Sequence, residues 1–220
     1  YASRGLGDVY KRQEDALSWA AAGDEVFVAK GTYTGSFKLR AAAKVYGNCV
    51  GTETEPPTYT TAEGLETFLK GPGGKRVLYL DGKASEIYGL DISGGDASTE
   101  TTGVGRGGGV YINNGGATLK YCNIHDNIGV DGSKNILGSN GKALKGVGGG
   151  LYVLNGRLEN CIIENNIATT APWEDTSKTW STGIGGGICL DATEGNGCNP
   201  DNAIVLNLSL IHISEPTRRV

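Results

Sequence analysis

Two tryptophans in one polar, loop-like segment are the residues of this chain best suited to contact a sugar. Trp173 and Trp180 are close in sequence to Glu174, Asp175 and Lys178. A flat indole ring offers a large amphipathic surface on which a sugar ring can stack. The alternative is that both indoles only pin their loop to the rest of the molecule, and the sequence does not decide between the two.

Carboxylates in the loop-like segments are a second source of chemistry, because several of them together could bind Ca²⁺. None has the spacing of a known calcium-binding loop, and acidic loop residues are usually only solvated. Calcium is the one cofactor that we keep open. These carboxylates are Asp96, Glu100, Asp131, Glu174, Asp175, Asp191, Glu194 and Asp201.

His125, beside Asp126, is the one histidine outside the chain ends. A metal site built from several histidines is therefore excluded, and we expect His125 to be a solvated residue of a bend. The glycine-rich segments are not expected to bind phosphate, because no GxxxxGK[ST] pattern follows a strand.

These residues belong to a chain that repeats itself. GGGVYINNGGATLKYCNIHDNIG, which starts at Gly107, returns as GGGLYVLNGRLENCIIENNIA, and a third glycine triplet opens at Gly185. When the repeats are aligned on their glycine triplets, the same position holds Val110, Leu151 and Ile188. A unit of about twenty residues with period-two apolar positions cannot bury a core alone, so its copies must stack. The sequence predicts a solenoid of stacked strands.

Three kinds of residue are predicted to hold the stack together. Glycine triplets suit the point where a loop rejoins the stack, because the backbone there needs positive φ or close approach. Asparagines at a bend can form a hydrogen-bonded ladder, and cysteines at one repeat position can stack as small buried side chains. These residues are Gly107, Gly108, Gly109, Gly148, Gly149, Gly150, Gly185, Gly186, Gly187, Asn127, Asn166, Cys122 and Cys161.

The disulfide pairing stays open. Cys189 and Cys198 are close enough in sequence to form a disulfide that closes a loop in an oxidising compartment. Cys49 would then have no disulfide partner. A bridge between Cys122 and Cys161 is the alternative.

Segments around the repeat are expected to build the same coils. Residues 14–22 predict a short helix that caps the first coil. Strands are predicted within residues 23–33, 36–39, 44–46, 77–80 and 85–92, and residues 52–64 predict a loop. Long excursions are expected at residues 94–106, 129–147, 168–184 and 191–202. All but the last precede a glycine triplet, so they should leave one edge of the stack, which is usually the working face of a repeat protein.

Both chain ends are interpreted as translated sequencing adapter. Residues 3–13 and 208–218 can be encoded by opposite strands of one DNA segment, with Gln13 as CAG complementing Leu208 as CTG and so on to the last pair. We therefore exclude residues 1–13 and 208–220 from fold reasoning and expect residues 14–207 to be a β-helix fragment truncated at both ends. The alternative is a real arm at each end, since LSLIHIS alternates like a strand.

Composition narrows the classes of partner. The chain has 20 basic and 24 acidic residues, for a net charge of −4. The two ends hold five basic and two acidic residues. Without them the chain has 15 basic and 22 acidic residues, for a net charge of −7. No cluster of Lys and Arg is present, so nucleic acid is not an expected partner. No apolar run is long enough to span a bilayer.

Two sets of motifs carry a family resemblance. Residues 23–33, followed by VYG at 45–47 and GTET at 51–54, resemble the opening coils of bacterial right-handed parallel β-helix proteins of the pectate-lyase-like superfamily. The glycine triplets, paired with IHDN at 124–127 and IENN at 163–166, resemble the GGAI and FxxN motifs of polymorphic outer-membrane protein repeats, with isoleucine in place of phenylalanine. The resemblance implies an all-β, right-handed parallel β-helix that is secreted or displayed at the cell surface.

The resemblance leaves two hypotheses for function. The first, which we favour, is a non-catalytic, adhesin-like or glycan-binding protein whose partner is a polysaccharide or a host or cell-surface glycan. The second is a polysaccharide lyase or glycoside hydrolase that acts on an acidic or plant-type polysaccharide. No polygalacturonase-type motif is present, so no catalytic residue is carried over. An active groove should gather two carboxylates, or a carboxylate and a Lys or Arg, in hydrogen-bonding reach of one place.

Overall fold

Parallel strands stacked in register build the molecule. The computed structural model describes residues 17–81, 84–113, 116–132, 146–170 and 183–190, together with the backbone of residues 203–206 and 209–211. Within these ranges the chain is a right-handed parallel β-helix, as predicted. Each coil returns to the same sheet through a crossover, and parallel crossovers are right-handed in nearly all proteins.

The strands fall into successive coils, each of which contributes to the same sheets. The first two coils contain β1 Glu25–Ala29, β2 Gly31–Thr34, β3 Phe37–Leu39, β4 Lys44–Cys49, β5 Thr67–Lys70 and β6 Leu78–Leu80. The third and fourth contain β7 Glu86–Tyr88, β8 Asp91–Ser93, β9 Val110–Ile112, β10 Ala117–Lys120, β11 Asn123–His125, β12 Ile128–Val130 and β13 Leu151–Val153. The remaining strands are β14 Gly156–Glu159, β15 Ile162–Glu164, β16 Ile167–Thr169, β17 Ile188–Leu190, β18 Ala203–Leu206 and β19 Ser209–Ile211.

Three sheets form the walls of the helix. Sheet A has the order β1-β4-β7-β10-β14-β18, sheet B has β19-β15-β11-β8-β5-β2, and sheet C has β17-β13-β9-β6-β3. A short fourth sheet pairs β12 with β16. Successive coils therefore lie about 4.8 Å apart along the axis, the spacing of hydrogen-bonded strands.

Columns of like apolar side chains fill the interior, which confirms the predicted stacking. Val110 is in register with Leu151, and Leu151 with Ile188. Ile124 is in register with both Ile92 and Ile163, and all three are 2% exposed or less. Burying a side chain of this size contributes about 1.5–3 kcal/mol, so these columns are the main source of stability.

The coils turn at residues in the left-handed region of backbone space. At the corner between sheets A and B these residues are Asn48, Gly89, Tyr121 and Asn160, with φ of 58°, 63°, 53° and 52°. At the corner that follows sheet B they are Gly94, Asp126 and Asn165, with φ of 70°, 52° and 51°. Gly, Asn and Asp tolerate this conformation better than other residues, which explains most of the choices.

Asn127 and Asn166 lie one above the other after the second corner. The amide oxygen of Asn127 accepts a hydrogen bond from the backbone N–H of Gly95 at 2.8 Å, and that of Asn166 accepts from the N–H of Asn127 at 3.0 Å. The Asn166 amide also donates to the carbonyl of Ile124 at 2.8 Å. Both side chains are buried, and together they link three successive coils.

The glycine triplets occupy the point where each excursion rejoins sheet C. The first glycine of each triplet has positive φ, at 57° for Gly107, 65° for Gly148 and 63° for Gly185. At the third position of the second triplet, a Cβ on Gly150 would lie 2.8 Å from the Asn166 amide carbon. A side chain there would collide with the asparagine ladder.

The cysteines divide into free thiols and a disulfide. Cys49, Cys122 and Cys161 are free and buried, and burial raises the pKa of the Cys122 thiol. Cys189 is disulfide-bonded, while Cys198, its predicted partner, lies outside the described residues. Cys122 and Cys161 thus pack as thiols, without the bridge considered as the alternative.

The predicted capping helix and the predicted set of strands need correction. The capping helix was expected to reach residue 22, but among its described residues only Leu17 and Ser18 are helical. The Asp24 carboxylate accepts a hydrogen bond from the N–H of Ala21 at 2.8 Å, and this turn leads the chain into β1. Strand β5 was not predicted, and β12 and β16 lie mostly inside the segments expected to be excursions, at residues 129–147 and 168–184. Leu17 is 6% exposed and packs on the core, so the segment still covers the end of the stack.

The described ends of the excursions lie at one edge, between sheets B and C. Near the start of the excursions, Asp96 and Ile128 form a parallel β-bridge. At their ends, Val147 forms parallel β-bridges with both Arg106 and Ile184. In the part of the chain that the structure describes, no helix has the length and apolar character needed to cross a membrane. Strand β19 lies inside the segment interpreted as adapter and pairs with β15, while that interpretation stays a prediction.

Candidate functional site

The outer face of sheet C carries a buried stack of tyrosines. Tyr79, Tyr111 and Tyr152 occupy matched positions on β6, β9 and β13. Their ring centroids are 5.3 and 5.0 Å apart and the rings are nearly parallel, at 12° and 6°. They are 8%, 4% and 1% exposed. This face is therefore covered and offers little surface to a ligand.

Arg76 fastens the first excursion over those tyrosines. Its Nε donates to the carbonyl of Gly107 at 2.8 Å, and its Nη2 donates to the carbonyls of Gly103 and Arg106 at 2.8 and 2.6 Å. The guanidinium carbon lies 4.7 Å from the ring centroid of Tyr111, a cation–π distance. Arg76 is 2% exposed, and burial lowers its pKa to about 10. Its role is structural.

The outer face of sheet A carries a second aromatic run, which is more open. Phe27, Tyr46 and Tyr88 stack across β1, β4 and β7 with centroids 5.4 and 5.1 Å apart. Tyr46 is buried, whereas Phe27 and Tyr88 are only partly buried. Carboxylates contact the phenol groups: Tyr46 donates to Glu25 at 3.3 Å, and Tyr88 donates to Glu86.

Tyr59 extends this run from a loop to the corner of the helix. Its ring stacks on Tyr88 at 5.9 Å and on Tyr121 at 6.0 Å, and its hydroxyl donates to the carbonyl of Gly47 at 2.7 Å. The ring fills the space beside Gly89, where any Cβ would collide with it. Tyr59 and Tyr121 thus form an aromatic pair on the corner between sheets A and B.

Tyr121 stands out among the corner residues. Its φ of 53° is unusual for a bulky residue, whereas the matching positions hold Asn48, Gly89 and Asn160. The left-handed conformation costs a residue with a Cβ about 1–2 kcal/mol. Backbone strain of this kind is often found at functional sites, so the corner at Tyr121 is a candidate binding position.

A polar cluster lies on the outer face of sheet B, immediately after this corner. His125 Nε2 is 3.0 Å from Asp91 Oδ1, and His125 Nδ1 is 2.7 Å from Asp126 Oδ2. Asn123 donates to Asp91 Oδ2 at 3.1 Å. We call Asp91, Asn123, His125 and Asp126 the polar row. It links β8 to β11 and ends beside the excursions.

Hydrogen bonding fixes the charges of the polar row. The hydrogen bond to Asp91 is the main cause that raises the pKa of His125 to about 9, with Asp126 adding to it and burial opposing it. His125 is therefore protonated at neutral pH and donates to both carboxylates. The amide oxygen of Asn123 is buried and has no hydrogen-bond partner among the described residues.

The predicted sugar site cannot be placed, because Trp173, Trp180, Glu174, Asp175 and Lys178 lie outside the described residues. Among the loop carboxylates, Asp96 accepts from the N–H of Ser98 at 2.9 Å, and Glu100 from the N–H of Arg76 at 2.9 Å. Within the ranges given above, no three acidic, His or Cys residues group to suit a metal ion. Calcium stays a prediction, since most of the carboxylates named for it lie elsewhere.

Sequence reasoning treated His125 as solvated and missed its two partners. The side chain of His125 is 23% exposed and that of Asp91 is 10% exposed, so the pair is well shielded. One signal was available: aligning Ile92 with Ile124 places Asp91 opposite Asn123, two residues before His125 and on the same face of the strand. No repeat position marked Tyr59, which lies in a loop.

Comparisons with known proteins give little to set beside this geometry. No protein-family model matches the chain, and no curated protein sequence matches it. Among solved structures, that of rice weevil pectin methyl esterase matches with a TM-score of 0.30 and 10% identity, over 90% of this chain and 84% of that chain. A likeness this low carries no argument about chemistry. The strand order and register establish the chain as a parallel β-helix.

Proposed function

We propose that the chain is a non-catalytic, glycan-binding β-helix, and that the outer face of sheet B is its ligand face. The observation that carries the proposal is the polar row, whose side chains are held by one another before any ligand arrives. Preorganised hydrogen-bonding groups lower the entropic cost of binding. A polysaccharide or a cell-surface glycan, with its many hydroxyl groups, is a suitable partner for such a row.

The geometry favours binding over catalysis. Both oxygens of Asp91 are engaged, by His125 and by Asn123, and its side chain is 10% exposed. His125 is protonated at neutral pH, so it cannot act as a general base there. Asp126 is 62% exposed and resembles a solvated carboxylate. The Asn123 amide oxygen, which has no partner in the described part of the chain, would gain a hydrogen bond from a ligand hydroxyl group that reached it.

A location outside the cell is part of the proposal. Disulfides persist in oxidising compartments and are rare in the cytosol. Cys189 is disulfide-bonded, which supports a secreted or surface-displayed protein.

The second candidate function is a polysaccharide lyase or glycoside hydrolase. Asp91 and Asp126 both meet His125, and two carboxylates in reach of one place is the arrangement expected of a catalytic groove. This observation favours the enzyme enough to include it in the test.

A glycan array, followed by a product assay, separates the two functions. The parent chain is applied to immobilised glycans, and each soluble glycan that binds is then incubated with it and assayed for new reducing ends and unsaturated products. We expect binding without products, and we expect His125→Gln to weaken binding. Lys44→Gln, on the exposed part of sheet A, is the matched control and should bind like the parent.

Two results would count against the proposal. Products that disappear in His125→Gln would establish the enzyme instead. Failure of the parent to bind any glycan on the array would remove the glycan-binding function altogether.

A further inference from the structure

Resting on the proposed function, we infer that Tyr121, supported by Tyr59, is the stacking platform for one sugar ring of a neutral glycan. The platform would stand at the end of the polar row that is opposite to the excursions. It adds an apolar contact to a ligand face that otherwise offers hydrogen bonds.

The first argument is that the β-helix itself does not require a tyrosine at this position. The other corner residues in the described coils are Asn48, Gly89 and Asn160, all of which suit positive φ. Tyr121 adopts the same conformation against its preference. A bulky residue that is kept in a conformation better suited to Asn or Gly points to a use other than folding.

The second argument is that the tyrosine is held in place. Tyr59 stacks on Tyr121 at 6.0 Å, and its own hydroxyl is tied to the Gly47 carbonyl at 2.7 Å. Two consecutive prolines, Pro56 and Pro57, precede Tyr59 and limit the freedom of its loop. Tyr121 remains only partly buried, so part of its side chain meets solvent. An aromatic ring that is fixed and partly exposed suits stacking against the C–H face of a sugar.

The third argument is position. Tyr121 lies two residues before Asn123, so the Cα atoms of the two residues are at most about 7 Å apart. That distance is on the order of one sugar residue. A ring stacked on Tyr121 would therefore place its hydroxyl groups toward Asn123 and His125.

The charges of the polar row indicate a neutral ligand. Protonated His125 is opposed by the carboxylates of Asp91 and Asp126, which leaves a net charge of about −1 at neutral pH. A uronic acid residue would be repelled at this place. We therefore assign the platform to neutral sugars, in contrast to acidic polysaccharides.

Affinity electrophoresis tests the assignment. The parent chain and its variants are run through gels that contain soluble glucan, mannan or xylan, with polygalacturonate as the acidic comparator, and melting temperatures are measured in parallel. Tyr121→Asn should weaken binding to the neutral glycan that retards the parent chain by about tenfold, which corresponds to about 1.4 kcal/mol. Its melting temperature should fall by no more than about 3 °C, because asparagine tolerates the left-handed corner.

Other variants separate stacking from folding. Tyr121→Phe keeps the ring and should bind like the parent. Asn160→Gly changes the matching corner of the next coil and should leave binding unchanged. If Tyr121→Asn fails to fold, Tyr121→His carries the test, since it keeps a flat ring and is tolerated at positive φ; its binding should fall by less than tenfold.

Three results would overturn the inference. Tyr121→Asn could bind neutral glycans like the parent, which removes the platform but leaves the glycan-binding function intact. A melting temperature lowered by much more than 3 °C in both Tyr121→Asn and Tyr121→His would show that Tyr121 mainly pins the loop. Stronger retardation by polygalacturonate than by neutral glycans would exclude the neutral class. A parent that binds neither kind of glycan would instead refute the proposed function.

Discussion

The two aromatic stacks of this molecule, on sheets C and A, differ in what lies over them. Tyr79, Tyr111 and Tyr152 on sheet C are covered by the first excursion, with Arg76 and Arg106 at cation–π distance. The sheet A run is continued by Tyr59 to a partly exposed corner. Stacking across coils is common to both. What differs is the burial of the partners: the cation over Tyr111 on sheet C is the buried Arg76, whereas the cation over Tyr88 on sheet A is the partly exposed Lys120. The phenol groups of sheet A also donate to the carboxylates of Glu25 and Glu86.

The difference teaches that a ladder of rings can serve two purposes in one β-helix. On sheet C it acts as a second apolar layer outside the main core, as the separate buried cluster with Leu154 and Cys189 shows. On sheet A it positions Tyr59 and Tyr121 at the border of the polar row. The predictions below test this contrast.

Replacing the middle ring of the covered stack should have the largest effect. Tyr111→Ala should lower the free energy of unfolding by about 3–5 kcal/mol, because it leaves a cavity between two buried rings. Tyr88→Ala, on the more open stack, should cost less than half as much. Urea unfolding followed by circular dichroism measures both. Equal losses would show that the two stacks do not differ.

Removing the clamp on the covered stack should come next. Arg76→Ala leaves the carbonyls of Gly103, Arg106 and Gly107 without their buried donor, and we expect a loss of about 3 kcal/mol. Hydrogen exchange should increase mainly in residues 94–107.

The matched control for the clamp is Arg157→Ala, which removes a partly exposed cation on sheet A that pairs with Glu159. Surface pairs contribute about 0–1 kcal/mol. If both arginine variants lost the same stability, Arg76 would not be a clamp.

The polar row should give a smaller, pH-dependent effect. The pKa of His125 in the folded protein is about 9, above its ordinary value of 6.5. Its stabilisation is therefore complete below pH 6.5 and is lost as the pH rises through 9. Allowing for solvent screening, we expect about 1–2 kcal/mol.

The measurement is the unfolding free energy of the parent minus that of His125→Gln between pH 6 and 10. The difference should shrink as the pH rises. A difference that stays constant over this range would contradict the protonated histidine.

Removing the chain ends should have the smallest effect. Deletion of residues 1–13 and 208–220 removes segments that we interpret as translated adapter, including the three residues of β19. The stacked core columns remain, so the far-UV dichroism per molecule should be nearly unchanged. Loss of the β-sheet signal would mean that the ends belong to the fold.

The sequence was sufficient for the fold because stacking brings identical repeat positions together. Val110 and Leu151 aligned on their glycine triplets, and the structure pairs them directly. The same reasoning matched Ile87 to Leu119 and Ile92 to Ile124, both of which are in register. Strand β5 was missed because it follows a long loop and no glycine triplet marks it.

The candidate site was harder to predict because it depends on contacts between coils that are not copies of each other. Asp91 has Asn123 at its matched position, so the repeat alignment places it near His125 but does not pair the two side chains. Tyr59 belongs to no repeat, and its stacking on Tyr121 depends on where its loop folds back. The positive φ at Tyr121 is set by the corner of the β-helix, and a tyrosine in the sequence does not indicate it.

The seam between sheets B and C has a consequence for protein engineering. The coils that carry a glycine triplet are joined there to the next coil by backbone hydrogen bonds between the triplets, such as Gly108 N–H to the Gly149 carbonyl at 2.9 Å. The intervening chain takes no part in those bonds, and closing a longer loop costs only about 0.6 kcal/mol per doubling of its length. Foreign peptides could therefore be inserted at this seam, and several could be displayed side by side at the spacing of the coils.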